Sequence, residues 1–116
     1  MATKVYKPWG YEEILVNNGK YVIKKLFVKG KHRFSLQSHK VKLETLMIYG
    51  GKGIMTLGDR RLEYDIRDIR SLPKIVDIPI PGTIHRVEAI KDTTIYEVST
   101  PELDDIIRLE DDYGRV

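Results

Sequence analysis

The spacing of its apolar residues constrains this chain more than any other feature. They fall in short runs of about four to eight, enriched in β-branched and aromatic residues and cut by Gly, Pro, Asn and Asp, which is the signature of strands. The runs are Tyr11 to Val16, Tyr21 to Val28, Arg33 to Ser38, Leu43 to Tyr49, Gly53 to Leu57, Arg61 to Tyr64, Ile75 to Ile78, Ile84 to Ile90 and Thr94 to Val98. Turn chemistry separates them at Asn17-Asn18-Gly19, Lys29-Gly30-Lys31, Gly50-Gly51-Lys52-Gly53, Gly58-Asp59, Pro79-Ile80-Pro81-Gly82 and Lys91-Asp92. Short strands at this spacing predict an all-β sandwich or barrel. Pro101 to Asp112 is the segment predicted to hold a helix, of one or two turns, because Leu103, Ile106, Ile107 and Glu110 follow a three-to-four spacing. No repeat, low-complexity stretch or linker interrupts the pattern, so residues 1–116 are expected to form a single domain.

Composition narrows the chemistry. The chain has 20 Lys+Arg against 17 Asp+Glu, a net charge of +3, too small a surplus to argue for nucleic acid. It has no cysteine, which removes disulfides, thiolate zinc sites and a cysteine nucleophile. Any metal must then sit on His, carboxylate or amide oxygen. No apolar stretch is long enough to span a bilayer and the first residues do not read as a signal peptide, so no membrane partner and a cytoplasmic protein are expected.

Two segments gather residues able to do chemistry. In Arg33-Phe34-Ser35-Leu36-Gln37-Ser38-His39, strand alternation places Arg33, Ser35, Gln37 and His39 on one face. That face is solvated if it lies outside a barrel and a site if it lies inside. Glu44 enters the apolar run Leu43 to Tyr49 just across a turn, and a carboxylate there needs a partner or a cation. The second segment, Pro79-Ile80-Pro81-Gly82-Thr83-Ile84-His85-Arg86, delivers His85 from a rigid turn into an apolar strand. Gln37, His39, Glu44 and His85 together would suit a divalent ion such as Zn, Mn, Co, Ni or Fe, with positions left open for water or substrate.

At these residues the sequence resembles the cupin superfamily, and within it the mannose-6-phosphate isomerase domain of the type II family. Lys7-Pro8-Trp9-Gly10 is similar to the family's opening (R/K)-P-W-G, and Arg33 to His39 to its R-L-S-L-Q-x-H. Glu44 and Gly51 fall at the spacing of the first cupin motif, and Pro81-Gly82-Thr83-Ile84-His85-Arg86 resembles the second. The ending Asp104-Asp105-Ile106-Ile107-Arg108-Leu109-Glu110-Asp111-Asp112-Tyr113-Gly114-Arg115 is similar to the family's D-D-I-(V/I)-R-x-E-D-x-Y-G-R, and is the most specific of these pieces. The chain departs from the family at Val41 and Ala89, where His and Asn are usual, and at Thr45-Leu46, where aromatic residues follow the Glu.

The resemblance implies a single-domain cupin β-barrel of jelly-roll type, with metal on Gln37, His39, Glu44 and His85 and a substrate or catalytic role for Arg33. It implies a metal-dependent aldose–ketose isomerase that interconverts mannose 6-phosphate and fructose 6-phosphate through a cis-enediol. Such chemistry needs a general base, for which Glu88, Lys40, Glu110 and Asp111 are candidates, and guanidinium for the phosphate, for which Arg33, Arg86 and Arg115 are candidates. Plainer readings stand beside these: Arg86 as an exterior salt-bridging residue and the C-terminal string as a clasp. Val41 and Ala89 motivate an alternative function, a non-catalytic cupin that binds a sugar or sugar nucleotide in an accessory or regulatory role. A different metal-cupin enzyme, an epimerase or dioxygenase, is a third. Exposed sheet edges lead us to expect a homodimer.

Overall fold

A computed structural model describes residues 3–67, 70 and 72–116. Its strands are β1 (Thr3–Lys7), β2 (Gly10–Asn17), β3 (Val22–Val28), β4 (Leu36–Ser38), β5 (Glu44–Leu57), β6 (Arg60–Ile66), β7 (Lys74–Ile78), β8 (His85–Ser99) and β9 (Ile107–Glu110). The described residues contain no helix, and so none long and apolar enough to cross a membrane. All pairings are antiparallel: one path runs β1-β2-β3-β8-β4-β9, while β5 pairs with β6, β7 and β8 and curls the sheet over itself. The enclosed face holds Leu46, Ile48, Met55, Val87 and Ile95, each essentially without solvent exposure.

The architecture is the all-β class read from the alternation, but the strands are not the same set. The glycine-rich segment after Tyr49 is not a turn between two strands. It is a bulged stretch of β5, with register shifts against β8 between Ile48 and Gly53. The inward face accordingly passes from Glu44, Leu46 and Ile48 to Gly53 and Met55, the change of parity that an extra residue imposes. The opposing Lys91-Asp92 stays inside β8 for the same reason. β1 went unread because its residues are nearly all exposed and offer no apolar face.

The expected short C-terminal helix is corrected. Leu103 and Asp104 lie in a turn, and Ile107–Glu110 is extended along β4, with Ser38 opposite Ile107 and Gln37 opposite Arg108. Two helical turns are marginal without tertiary support, whereas the open edge of β4 offers unpaired backbone donors and acceptors.

The opening Lys7-Pro8-Trp9-Gly10 also has a physical reason. A Cβ on Gly10 would lie 1.8 Å from the Phe27 carbonyl oxygen, and its φ is +154°. The bend lets Trp9 turn into the core, edge-on to Phe34 at 5.9 Å between ring centroids.

Candidate functional site

A cavity of about 460 Å³ opens between the two halves of the sheet. At its buried end His39 follows β4, Glu44 begins β5 and His85 begins β8, so the ends of three strands converge. One potential ligand atom from each lies within 4.8 Å of the others, and all three residues are buried. Glu44 Oε1 stands 2.7 Å from His85 Nε2 and 3.2 Å from His39 Nε2.

The backbone dictates how these rings present themselves. His39 Nδ1 donates to the Asp105 carbonyl oxygen and His85 Nδ1 to that of Thr83. In a neutral imidazole this leaves the lone pair on Nε2, aimed at a carboxylate oxygen that is also an acceptor. Two lone pairs face a third, an arrangement relieved by a cation among them, whether proton or metal ion. Beyond its contact with Glu44, His85 Nε2 is buried without a hydrogen-bond partner. The residues therefore fit a divalent transition metal.

The segment ahead of Glu44 is held by one carboxylate. Asp105 accepts the backbone N–H groups of Lys40, Val41 and Lys42 at 2.7–2.9 Å, and these bonds hold its carboxyl down at about 2. They turn Lys42 inward, where its Nζ stands 3.2 Å from Glu44 Oε2 and 3.4 Å from Glu97 Oε2. Burial pushes the Glu97 carboxyl up to about 7, reinforced by Glu44 and opposed by Lys42 and Lys24. Burial alone would raise Glu44 too, but hydrogen bonds from His39 and His85 when their facing nitrogens carry a proton, together with the Lys42 ammonium, outweigh it and hold its carboxyl below the usual carboxylate range. Nearer the mouth, Glu12 pairs with Lys24 at 3.6 Å and Lys7 at 3.9 Å.

The residues expected in the site divide sharply. His39, Glu44 and His85 come together, and Gln37 lines the same cavity with its Oε1 accepting the Ser35 hydroxyl at 2.7 Å. Arg33 does not join them. Regular β4 begins only at Leu36, so the alternation that was to align Arg33 with Gln37 does not extend that far. Its guanidinium forks onto Asp112 at 2.7 and 2.9 Å, approaches Glu88 at 3.4 Å, and faces a second cavity. Glu88 lines that second cavity as well, and Lys40 is exposed. Arg86 is buried, neither an exterior ion pair nor a cavity residue: its Nε donates to the Phe34 carbonyl oxygen at 2.9 Å and its Nη2 to that of Glu110 at 3.3 Å. Arg115 lines the first cavity but is clasped by Asp111. Glu110 is exposed, and Asp111 is the counter-ion of that clasp. Val41 is 56% exposed, so the usual His at that position would not point into this cluster.

Sequence reasoning missed Lys24, Lys42, Glu97 and Arg108 on the cavity wall. For two of them a signal existed. Lys24 sits between Val22 and Leu26, and Glu97 between Ile95 and Ser99, on the buried parity of their strands. A charge at an inward position of an alternating strand marks a polar cavity or a buried pair.

Comparison with known proteins places this geometry. A family model described as mannose-6-phosphate isomerase C-terminal matches residues 1–111. The chain is 29% identical over 114 residues to a mannose-1-phosphate guanylyltransferase of Escherichia coli, covering 97% of this chain and 23% of that protein. It is 31% identical over 114 residues to the alginate biosynthesis protein AlgA of Pseudomonas aeruginosa, with the same coverage. A cupin-2 domain from Rhodospirillum rubrum superimposes with a TM-score of 0.75 at 15% identity, over 92% of this chain and 74% of that one, and shows the shared cupin fold. The chain thus spans under a quarter of the two curated relatives.

These relatives correct the expectation of an isomerase acting on mannose 6-phosphate. The first carries a guanylyltransferase name and the second the name of a biosynthesis protein, and neither name describes an isomerase. The structure supplies a physical counterpart: Glu88 and Arg33, a candidate base and a candidate phosphate ligand, bind each other facing a different cavity from the His–Glu–His cluster.

Proposed function

The chain belongs to the family of mannose-6-phosphate isomerase C-terminal domains, and from that premise we propose that it is a carbohydrate-binding cupin, taking up a sugar or sugar nucleotide without transforming it. Its role would be accessory or regulatory to mannose-related enzymes of the kind its relatives' names describe. The observation that carries this reading is the separation of Arg33 and Glu88 from the His39–Glu44–His85 cavity. What remains in that cavity is a wall of carboxylate acceptors and ammonium donors, the chemistry that pairs with sugar hydroxyls.

His39 and His85, through Nε2, and a Glu44 oxygen would hold a divalent ion such as Zn, Mn, Co, Ni or Fe, with Gln37 beside them. When bound, such an ion supplies a positive centre able to ligate a hydroxyl or carbonyl oxygen. Lys42 holds Glu44 from the side opposite the imidazoles and keeps Glu97 paired, so the carboxylate stays ordered whichever ligand enters.

Calorimetric titration of the metal-loaded protein with mannose, mannose 1-phosphate and GDP-mannose tests the reading. One-site binding of at least one of them is expected, with the ligand recovered chemically unchanged. Absence of binding, or conversion of the ligand, would overturn it.

A further inference from the structure

An antiparallel sheet that packs one face on a core normally turns polar residues outward on the other. β6 follows that rule and presents Arg61, Glu63 and Asp65 to solvent. The outer face of the sheet from β7 to β1 does not. There, directly opposed residues on β7, β5, β8, β3, β2 and β1 form a row of Ile75, Met47, Tyr96, Lys25, Glu13 and Lys4. Beside it run Val98, Ile23 and Val16 on one side and Phe27, Tyr11 and Tyr6 on the other. Opposed residues share a face of the sheet, and the alternate positions Leu46, Glu97 and Lys24 line the inner cavity, so these rows point outward. Tyr6 is 77% exposed and Ile75 63%.

The rings on this face are held in place before anything touches them. Tyr11 stacks on Phe27 at 5.3 Å between centroids, with Lys4 Nζ 4.4 Å from the centre of its ring, and Tyr49 stands edge-on to Tyr96 at 5.4 Å. Such aromatic surface loses little freedom on contact. Charge of opposite sign flanks the apolar centre. On the β7 flank Asp77 is exposed, accepts the Thr45 hydroxyl at 2.7 Å and, among the described residues, forms no ion pair. On the far flank Lys4 and Lys25 outnumber Glu13. A two-fold axis near Tyr96, running close to the strand direction, exchanges the two flanks and sets Asp77 of each copy over the lysine flank of the other. The size also suffices. Strands roughly 4.8 Å apart, with outward side chains roughly 6.8 Å apart along each, make the face about 24 Å by 20 Å. Two copies together then hide on the order of 1,000 Å², the area a specific interface needs.

We infer that this outer face is covered by a second copy of the chain, packed sheet on sheet with Met47, Tyr96 and Val98 at the centre and Asp77 paired with the partner's lysine flank at the rim. The contact runs face to face and not through the open strand edges. It lies on the opposite side of the sheet from the His39–Glu44–His85 cavity and leaves that cavity unobstructed.

Sedimentation equilibrium of the full chain over about 1 to 100 μM tests this. The wild type is expected to show a mass near twice the 13.5 kDa of the single chain. Ile75→Lys and Val98→Lys are expected to give monomers that keep the wild-type circular dichroism, while Glu63→Lys, on the outward face of β6, leaves the dimer intact. If Val98→Lys fails to fold, Ile75→Lys carries the test, since that side chain is already largely exposed. Asp77→Lys and Lys4→Glu are each expected to weaken the dimer at least about tenfold by setting like charges together, and the double variant to recover part of that loss. A wild type that stays monomeric throughout leaves the face to some other partner and overturns the inference. So does a dimer that Ile75→Lys and Val98→Lys leave unchanged, which would place the contact at the strand edges.

Discussion

His39 and His85 face each other with ring centroids 5.0 Å apart and planes tilted by 51°, and one oxygen of Glu44 stands within 3.2 Å of both Nε2 atoms. Because each Nδ1 is committed to a backbone carbonyl, the rings cannot flip without leaving that carbonyl unpaired. The three donors are therefore arranged in advance of any ion.

Metal analysis of purified variants follows directly. His85→Ala and Glu44→Gln are expected to abolish stoichiometric metal binding, measured by elemental analysis after reconstitution with Mn or Zn. Val41→Ala is expected to leave it unchanged, since that side chain is at the surface. Full metal content in His85→Ala would refute the site.

Lys42 is the internal counter-ion of two buried carboxylates. Replacing it by Met leaves Glu44 and Glu97 facing each other without an ammonium, and breaking a buried pair from one side costs about 3–5 kcal/mol. The double variant Lys42→Met with Glu97→Leu removes one carboxylate as well and is expected to recover a large part of that loss. Urea unfolding of the three proteins measures it. Equal stability of Lys42→Met and wild type would mean that the network carries no strain when opened.

The same cluster explains what could be read in advance. Strand alternation, a local property of the chain, identified the all-β class, and residue chemistry singled out His39, Glu44 and His85, whose ligand atoms the fold brings within 4.8 Å of one another. Bulges are not. Gly50-Gly51-Lys52-Gly53 has the composition of a turn, and only the pairing of β5 with β8 through it makes it part of a strand. The C-terminal segment likewise carries helical spacing, and its extended state is decided by the edge of β4, far away in sequence. Arg33 departs from the alternation because it is held by an isolated bridge to Glu88, outside regular strand.

Gly53 marks a close crossing of β5 and β8. A Cβ there would lie 2.1 Å from the Glu88 carbonyl oxygen and 2.5 Å from the Tyr64 hydroxyl, which is itself bonded to Thr93 at 2.8 Å. Gly53→Ala must push two strands apart or break that buried hydrogen bond. It is expected to destabilise by about 1–3 kcal/mol. Gly50→Ala meets nothing within 4 Å and is expected to be near neutral. Denaturant midpoints of the two variants separate close approach from generic loss of glycine.

A C-terminal clasp of Asp111 on Arg115 borders the cavity. Asp111 accepts the Arg115 Nε, Nη2 and backbone N–H, each at 2.8 Å, and the side-chain hydrogen bond with Arg115 is the largest cause holding its carboxyl down at about 2. An unfolded Asp titrates at about 3.9. The folded value is the lower one, so the contribution is fully present above about pH 4 and is lost as pH falls toward 2. Because Arg115 is partly exposed, that contribution is expected to stay below about 1 kcal/mol at neutral pH. The stability difference between wild type and Asp111→Asn should therefore be constant from pH 5 to 8 and shrink between about pH 4 and 2. A difference that persists undiminished at pH 2 would show that Asp111 acts through packing and not through its charge.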